Sequence, residues 1–186
     1  MTLRKKTSTT TEEKIKYVVF YKEVREYKAT LKQYIMTSRF NNETLQENRE
    51  FVKKSNSISC VYCCPDAIAK HVPVDIILFV LEMNNDTNKI AGIGMVRNHA
   101  HMYKYSVYST SSYNRYIYYG KNHIARENMS EEEERIMKVF DILCFTGNKH
   151  MKRGQGMKAF PIDILYKCKH TLDLVGFIAQ MFKSRL

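Results

Sequence analysis

The run Asp75-Ile76-Ile77-Leu78-Phe79-Val80-Leu81-Glu82-Met83-Asn84-Asn85-Asp86-Thr87-Asn88-Lys89-Ile90-Ala91-Gly92-Ile93-Gly94-Met95-Val96 decides the fold. Residues 75–83 are crowded with Ile, Leu, Phe and Val, and residues 89–96 carry Ile90, Ile93 and Val96. Between them, Asn84 to Asn88 can bond their own backbone and tolerate left-handed geometry. Two apolar runs of strand length joined by such a turn predict a β-hairpin. Gly92 and Gly94 inside the second run predict a bulge or a close approach of backbone to something else. The apolar run Ile76–Leu81 is far shorter than the ~20 residues that cross a bilayer.

Toward the C-terminus, Tyr103–Tyr108 and Tyr113–Tyr119 alternate tyrosine with polar residues and predict a second hairpin, turning at a Ser-Thr-Ser-Ser run. Ser130 followed by Glu133 spells a capping box, so the Glu run 131–133 reads as a solvated helix start rather than a metal site. Ile136, Val139, Phe140 and Leu143 form that helix's buried stripe. A last helix from Thr171 puts Leu174, Val175, Ile178, Met181 and Phe182 on one face. Toward the N-terminus, residues 12–35 follow a helical pattern through Val24, Tyr27, Leu31 and Tyr34/Ile35, although Tyr17–Tyr21 could be a strand entering it. Thr44–Lys53 predicts a short polar helix, and Pro65-Asp66-Ala67-Ile68 a helix start.

The expected fold class is α+β: a compact antiparallel, barrel-like sheet flanked by helices. Residues 1–11 read as a flexible basic tail and 12–186 as one domain. Within it, 12–57 is a helical N-terminal part, 58–168 the sheet core and 169–186 the C-terminal helix. The opening residues lack the apolar centre of a secretory signal, and five cysteines argue against a disulfide scaffold. An intracellular protein without a membrane partner is expected.

A formal charge of +11 on 186 residues biases the chain toward polyanions. The charge is unevenly placed. From Arg97 to Arg126 the chain has five cations (Arg97, Lys104, Arg115, Lys121, Arg126), seven tyrosines and no carboxylate. Cations attract phosphates and tyrosine rings stack on bases, so Tyr113, Tyr116 and Tyr118 are stacking candidates. A second basic loop, Lys149-His150-Met151-Lys152-Arg153-Gly154-Gln155-Gly156, adds Lys152 and Arg153 to the phosphate track. Its glycines let backbone N–H groups face an anion, and Gln155 could read a base edge. Asn84, with Glu82 and Asn85 at the strand end, is a second candidate base reader or an ordinary turn residue.

Nothing here names a reaction. Cys60-x-x-Cys63-Cys64 resembles half a zinc site, but the other pair of ligands is missing, so buried thiols and no metal are expected. Metal-dependent phosphodiesterases need carboxylates beside their histidines, and the 97–126 stretch has none. Neither catalytic residues nor a cofactor are expected.

The blocks Phe79-Val80-Leu81-Glu82-Met83-Asn84-Asn85, Gly92-Ile93-Gly94-Met95-Val96-Arg97-Asn98, Tyr113-Asn114-Arg115-Tyr116 and His150-Met151-Lys152-Arg153-Gly154-Gln155-Gly156 resemble an uncharacterised family of large DNA viruses, over roughly residues 58–168. The arrangement of short strands around a glycine-bearing hairpin is also similar to PUA-like modules of the EVE and YTH type. That resemblance implies a small β-barrel holding a nucleobase, sometimes a modified one, in an aromatic pocket beside a basic groove. With no Trp in the chain, Tyr or Phe would line such a pocket. The expected function is non-catalytic binding of DNA or RNA, with recognition of a nucleobase, modified or not. For a viral protein the location would be host cytoplasm, nucleus or virion. The alternatives are a structural or packaging protein with virion or other protein partners, and a nucleic-acid-processing enzyme built on the histidines.

Overall fold

The computed structural model describes residues 11–186. The tail expected over 1–11 lies outside them, except that the backbone of Thr11 opens the first helix. The described elements run α1 (Thr11–Thr30), β1 (Gln33–Phe40), α2 (Asn42–Lys54), β2 (Cys60–Cys64), β3 (Ile77–Asn84), β4 (Lys89–Arg97), β5 (His101–Met102), β6 (Tyr116–Gly120), β7 (Asn122–Ala125), α3 (Glu131–Phe145), β8 (Lys158–Ala159), α4 (Ile162–Cys168) and α5 (Leu174–Lys183). This is an α+β fold. Among the described residues no helix is long and apolar enough to cross a membrane.

The β3–β4 hairpin forms as the patterning requires, with Asn84 Oδ1 accepting from the backbone N–H groups of Asp86 and Thr87 to shape the turn. Around it lies a five-stranded sheet in the order β7-β4-β3-β1-β8, beside a three-stranded sheet β2-β6-β5. β1 runs parallel to β3, so the large sheet is mixed rather than antiparallel, and neither sheet closes into a barrel. The expectation of an antiparallel, barrel-like sheet is corrected on both counts.

The pattern missed β2, α4, which lies inside the stretch read as sheet core, and above all β1. Helix α1 stops at Thr30, and Tyr34 and Ile35, placed on one helix face by spacing, enter opposite faces of the sheet instead. Because both faces of β1 are covered, its residues are buried almost without alternation. On one face Tyr34, Leu78, Val80 and Val96 pack against β2, β6 and the neighbourhood of α2. On the other, Ile35, Phe79, Leu81 and Ile93 pack on α3, α4 and α5 through Phe140, Leu165 and Ile178. Two cores therefore sandwich the central sheet.

The second predicted hairpin is also corrected. Residues 103–115 form a loop with a short 3₁₀ turn at Ser111–Asn114, and β6 pairs with β2 and with the two residues of β5. Asn114, almost fully buried, organises the loop: its Oδ1 accepts from Val107 and Tyr108 N–H and its Nδ2 donates to Tyr108 O. Residues 65–68 form no helix. The capping box at Ser130 and Glu133 is present in both halves, and α2 and α5 form where expected.

Candidate nucleic-acid interface

The basic loop between α3 and β8 folds back onto the end of the central sheet. Gly147, Gly154 and Gly156 sit at φ 75, 105 and 64, conformations that favour glycine. Arg39 of β1 pins the loop, donating from Nε to Met151 O and from a terminal nitrogen to Gly156 O. Asn85 Nδ2 donates to Lys152 O, and Lys152 Nζ donates to Asn88 Oδ1. The loop is thereby tied to both β1 and the β3–β4 turn. Burial holds the Arg39 guanidinium below its usual pKa, and among the described residues no carboxylate pairs with it.

The fold-back leaves a cavity of about 240 Å³. Tyr113 from the 3₁₀ turn and Gln155 from the basic loop line it together, from segments far apart in sequence. Phe40, Tyr108, Arg39 and Asn41 complete its aromatic and polar walls. Tyr108 is fixed by its hydroxyl, which accepts from Asn48 Nδ2 at 2.9 Å. Cys63 is the one thiol among the described lining residues, and burial pushes its pKa up, so it stays protonated. Among the described residues no carboxylate and no histidine lines the cavity. Lys152 and Arg153 continue the chain immediately before Gly154 and Gln155 of the wall.

Cations extend away from the cavity in steps. Ser111, Ser112 and Asn114 of the 3₁₀ turn line a second, shallow depression with Lys104, Arg115 and one carboxylate, Asp66. Lys104 Nζ lies 2.9 Å from the Tyr119 hydroxyl and over the Tyr105 and Tyr119 rings. Tyr119 in turn lines a third depression with Arg97, Lys121, His99, His101 and Asp75, whose carboxylate lies 3.1 Å from His99 Nδ1. Burial, with Lys104 and His99 nearby, holds His101 below the usual histidine value, so it adds little charge at neutral pH. Arg97 also donates to Asp75 O. Arg115 is exposed and stands over the half-buried ring of Tyr116, 5.3 Å from its centroid.

Four expected residues have other work. Tyr118 is 1% exposed in the core between the sheets, its hydroxyl accepting from Ile68 N–H, so its ring cannot stack on a base. Arg126 is held by Glu134 through two hydrogen bonds and by Asp141, which raise its pKa; it joins β7 to α3 and is not free for a phosphate. Asn84 is buried and fully engaged, its amide donating to Asn42 Oδ1 and its carbonyl shaping the turn. Glu82 lies buried between the sheets, accepting from Tyr62 and paired with His123.

Cys60, Cys63 and Cys64 are buried strand residues, with Cys60 and Cys64 pushed up to about 12 chiefly by burial. Among the described residues no group of three or more His, Cys, Asp or Glu is gathered as a metal site would need. Sequence reasoning overlooked Arg39, Phe40 and Tyr108. The first two lie on the unrecognised strand β1. Tyr108 was one of seven tyrosines with no local mark to single it out.

No known protein family, curated protein or solved structure matches the chain.

Proposed function

We propose that this protein binds single-stranded nucleic acid without catalysis and takes one base into the Tyr113–Gln155 cavity. The carrying observation is that a stacking candidate, Tyr113, and a polar reader, Gln155, from segments far apart in sequence, line one small cavity flanked by cations. At about 240 Å³ the space falls below the range of roughly 300–1,000 Å³ common for drug-sized ligands. It suits a single flat ring system.

The base would lie against the Tyr113 ring, with Gln155 and Arg39 offering hydrogen-bonding groups to its edge. Phosphates on either side would meet Lys152 and Arg153 or Arg115 and Lys104. A lining without carboxylate, histidine or thiolate among the described residues supports binding over chemistry.

Fluorescence anisotropy with labelled single strands of different base composition tests the reading. Tyr113→Ala is expected to weaken binding by about 1–3 kcal/mol, the worth of one base–aromatic stack. Gln155→Ala should reduce discrimination among bases more than overall affinity. Equal affinity for every strand, untouched by Tyr113→Ala, would instead mark a packaging protein that reads only charge.

A further inference from the structure

Tyr103 is an aromatic ring of the basic stretch left to itself. It is 66% exposed, and among the described residues it has no ring, cation or hydroxyl partner. Its neighbours are engaged: Tyr105 packs on Phe51 and Tyr119, and Lys104 covers both Tyr105 and Tyr119. Met102, beside it, is 55% exposed. The backbone of Tyr103 is at φ 49, and the other described non-glycine residues at positive φ are Asp75 and Asn88. Asp and Asn tolerate that region because short polar side chains bond locally; a bulky tyrosine has no such compensation. Strand pairing imposes the conformation, since β5 is registered against Tyr116 and Ile117 and Tyr103 N–H donates to Arg115 O.

A strained residue that presents an unpartnered ring to water serves neither core nor solubility. Its surroundings say what it could meet. Tyr103 borders the shallow depression that also holds Lys104 and Arg115, two cations against the single carboxylate of Asp66. The same short 3₁₀ turn contributes to both this depression and the base cavity, Ser111, Ser112 and Asn114 lining the first and Tyr113, with Thr110 just before the turn, the second. We infer that Tyr103 is a second stacking platform, on which the base adjoining the one in the Tyr113 cavity lies while the intervening phosphate meets Lys104 and Arg115. The inference rests on the base-binding reading above and extends it from one nucleotide to at least two.

The test compares a nucleoside monophosphate with a labelled single-stranded tetranucleotide. Tyr103→Asn removes the ring while suiting the left-handed backbone, so its Tm should not fall. It is expected to bind the monophosphate as the wild type does and to lose roughly 5- to 150-fold for the tetranucleotide, the range of one base–aromatic stack. Tyr103→Phe keeps the ring and should retain both affinities. Wild-type tetranucleotide binding by Tyr103→Asn, alongside a loss of both ligands in Tyr113→Ala, overturns the platform and leaves the base cavity standing. Equal losses for both ligands in Tyr103→Asn would also overturn it, because the ring would then be supporting the cavity. A wild-type protein that binds neither ligand removes the base-binding reading and the platform with it.

Discussion

Glu82 is a carboxylate almost out of water, 3% exposed, yet it is not stranded. Its Oε1 accepts from the Tyr62 hydroxyl at 2.8 Å and faces His123 Nε2 at 3.0 Å, so one atom joins β2, β3 and β7 across the two sheets. Burial alone would lower the pKa of His123, but the hydrogen bond and charge of Glu82 outweigh it and the net shift is upward. Arg49 opposes that shift and Glu127 adds to it. A raised folded-state value has a definite sign: its stabilisation is complete below the unfolded value of about 6.5 and is lost as pH rises through the folded value. Denaturant unfolding followed from about pH 6 upward should therefore show this contribution decline through the histidine range. His123→Gln should remove that decline; an unchanged pH profile in the variant would exclude His123 as its source.

At the scale of elements, β4 explains why two glycines interrupt an apolar strand. Pairing between β3 and β4 shifts register between Leu81 and Met83, the irregularity lying opposite Ala91 and Gly92. Gly94 clears the path of the Tyr62 side chain: a Cβ there would overlap the Tyr62 hydroxyl and come within 2.8 Å of Cys60 Sγ. Gly94→Ala must push Tyr62 away from Glu82, which adds overpacking to an under-bonded buried charge. A loss of about 3 kcal/mol or more is expected, or a Tm lower by roughly 6–12 °C for a domain of this size. Full stability in this variant, read by thermal unfolding, would show that the approach is not tight. Gly94→Ala combined with Tyr62→Phe should recover part of the loss by removing the overlapping oxygen.

For the molecule as a whole, the formal charge of +11 is divided between two kinds of cation. Lys104, Arg115 and Arg153 are exposed at the proposed interface, whereas Arg126 holds β7 to α3 with its side chain only 14% exposed. Neutralising an interface cation to Gln should lower the salt slope of single-strand binding by about 0.7 for each phosphate left without its counter-charge. Arg126→Gln should leave that slope unchanged and cost about 1–3 kcal/mol of stability, because it leaves Asp141, 15% exposed, without its charged partner and removes the two hydrogen bonds to the part-exposed Glu134. Salt titrations together with thermal unfolding of each variant separate the two classes. A fall in slope for Arg126→Gln without loss of stability would mean that its ion pairs open on binding.

Local patterns sufficed for the β3–β4 hairpin and the α3 capping box, since each depends on residues adjacent in sequence; they marked Gly92 and Gly94 for a bulge or a close approach, but that Tyr62 is what approaches Gly94 is decided by tertiary packing. They could not reveal β1: its two faces are covered by elements remote in the chain, which erases the alternation that marks a half-buried strand. Nor could they sort the tyrosines. Alternation shows which rings share a face, but only the packing of β6 on β2 buries Tyr118, and only the Asn114-centred loop carries Tyr113 to Gln155. The basic character and its concentration in two segments are properties of the sequence. Which of those cations are free and which are consumed by Glu134 and Asp141 is decided by tertiary structure, because a charge's role depends on what the fold places within hydrogen-bonding distance of it.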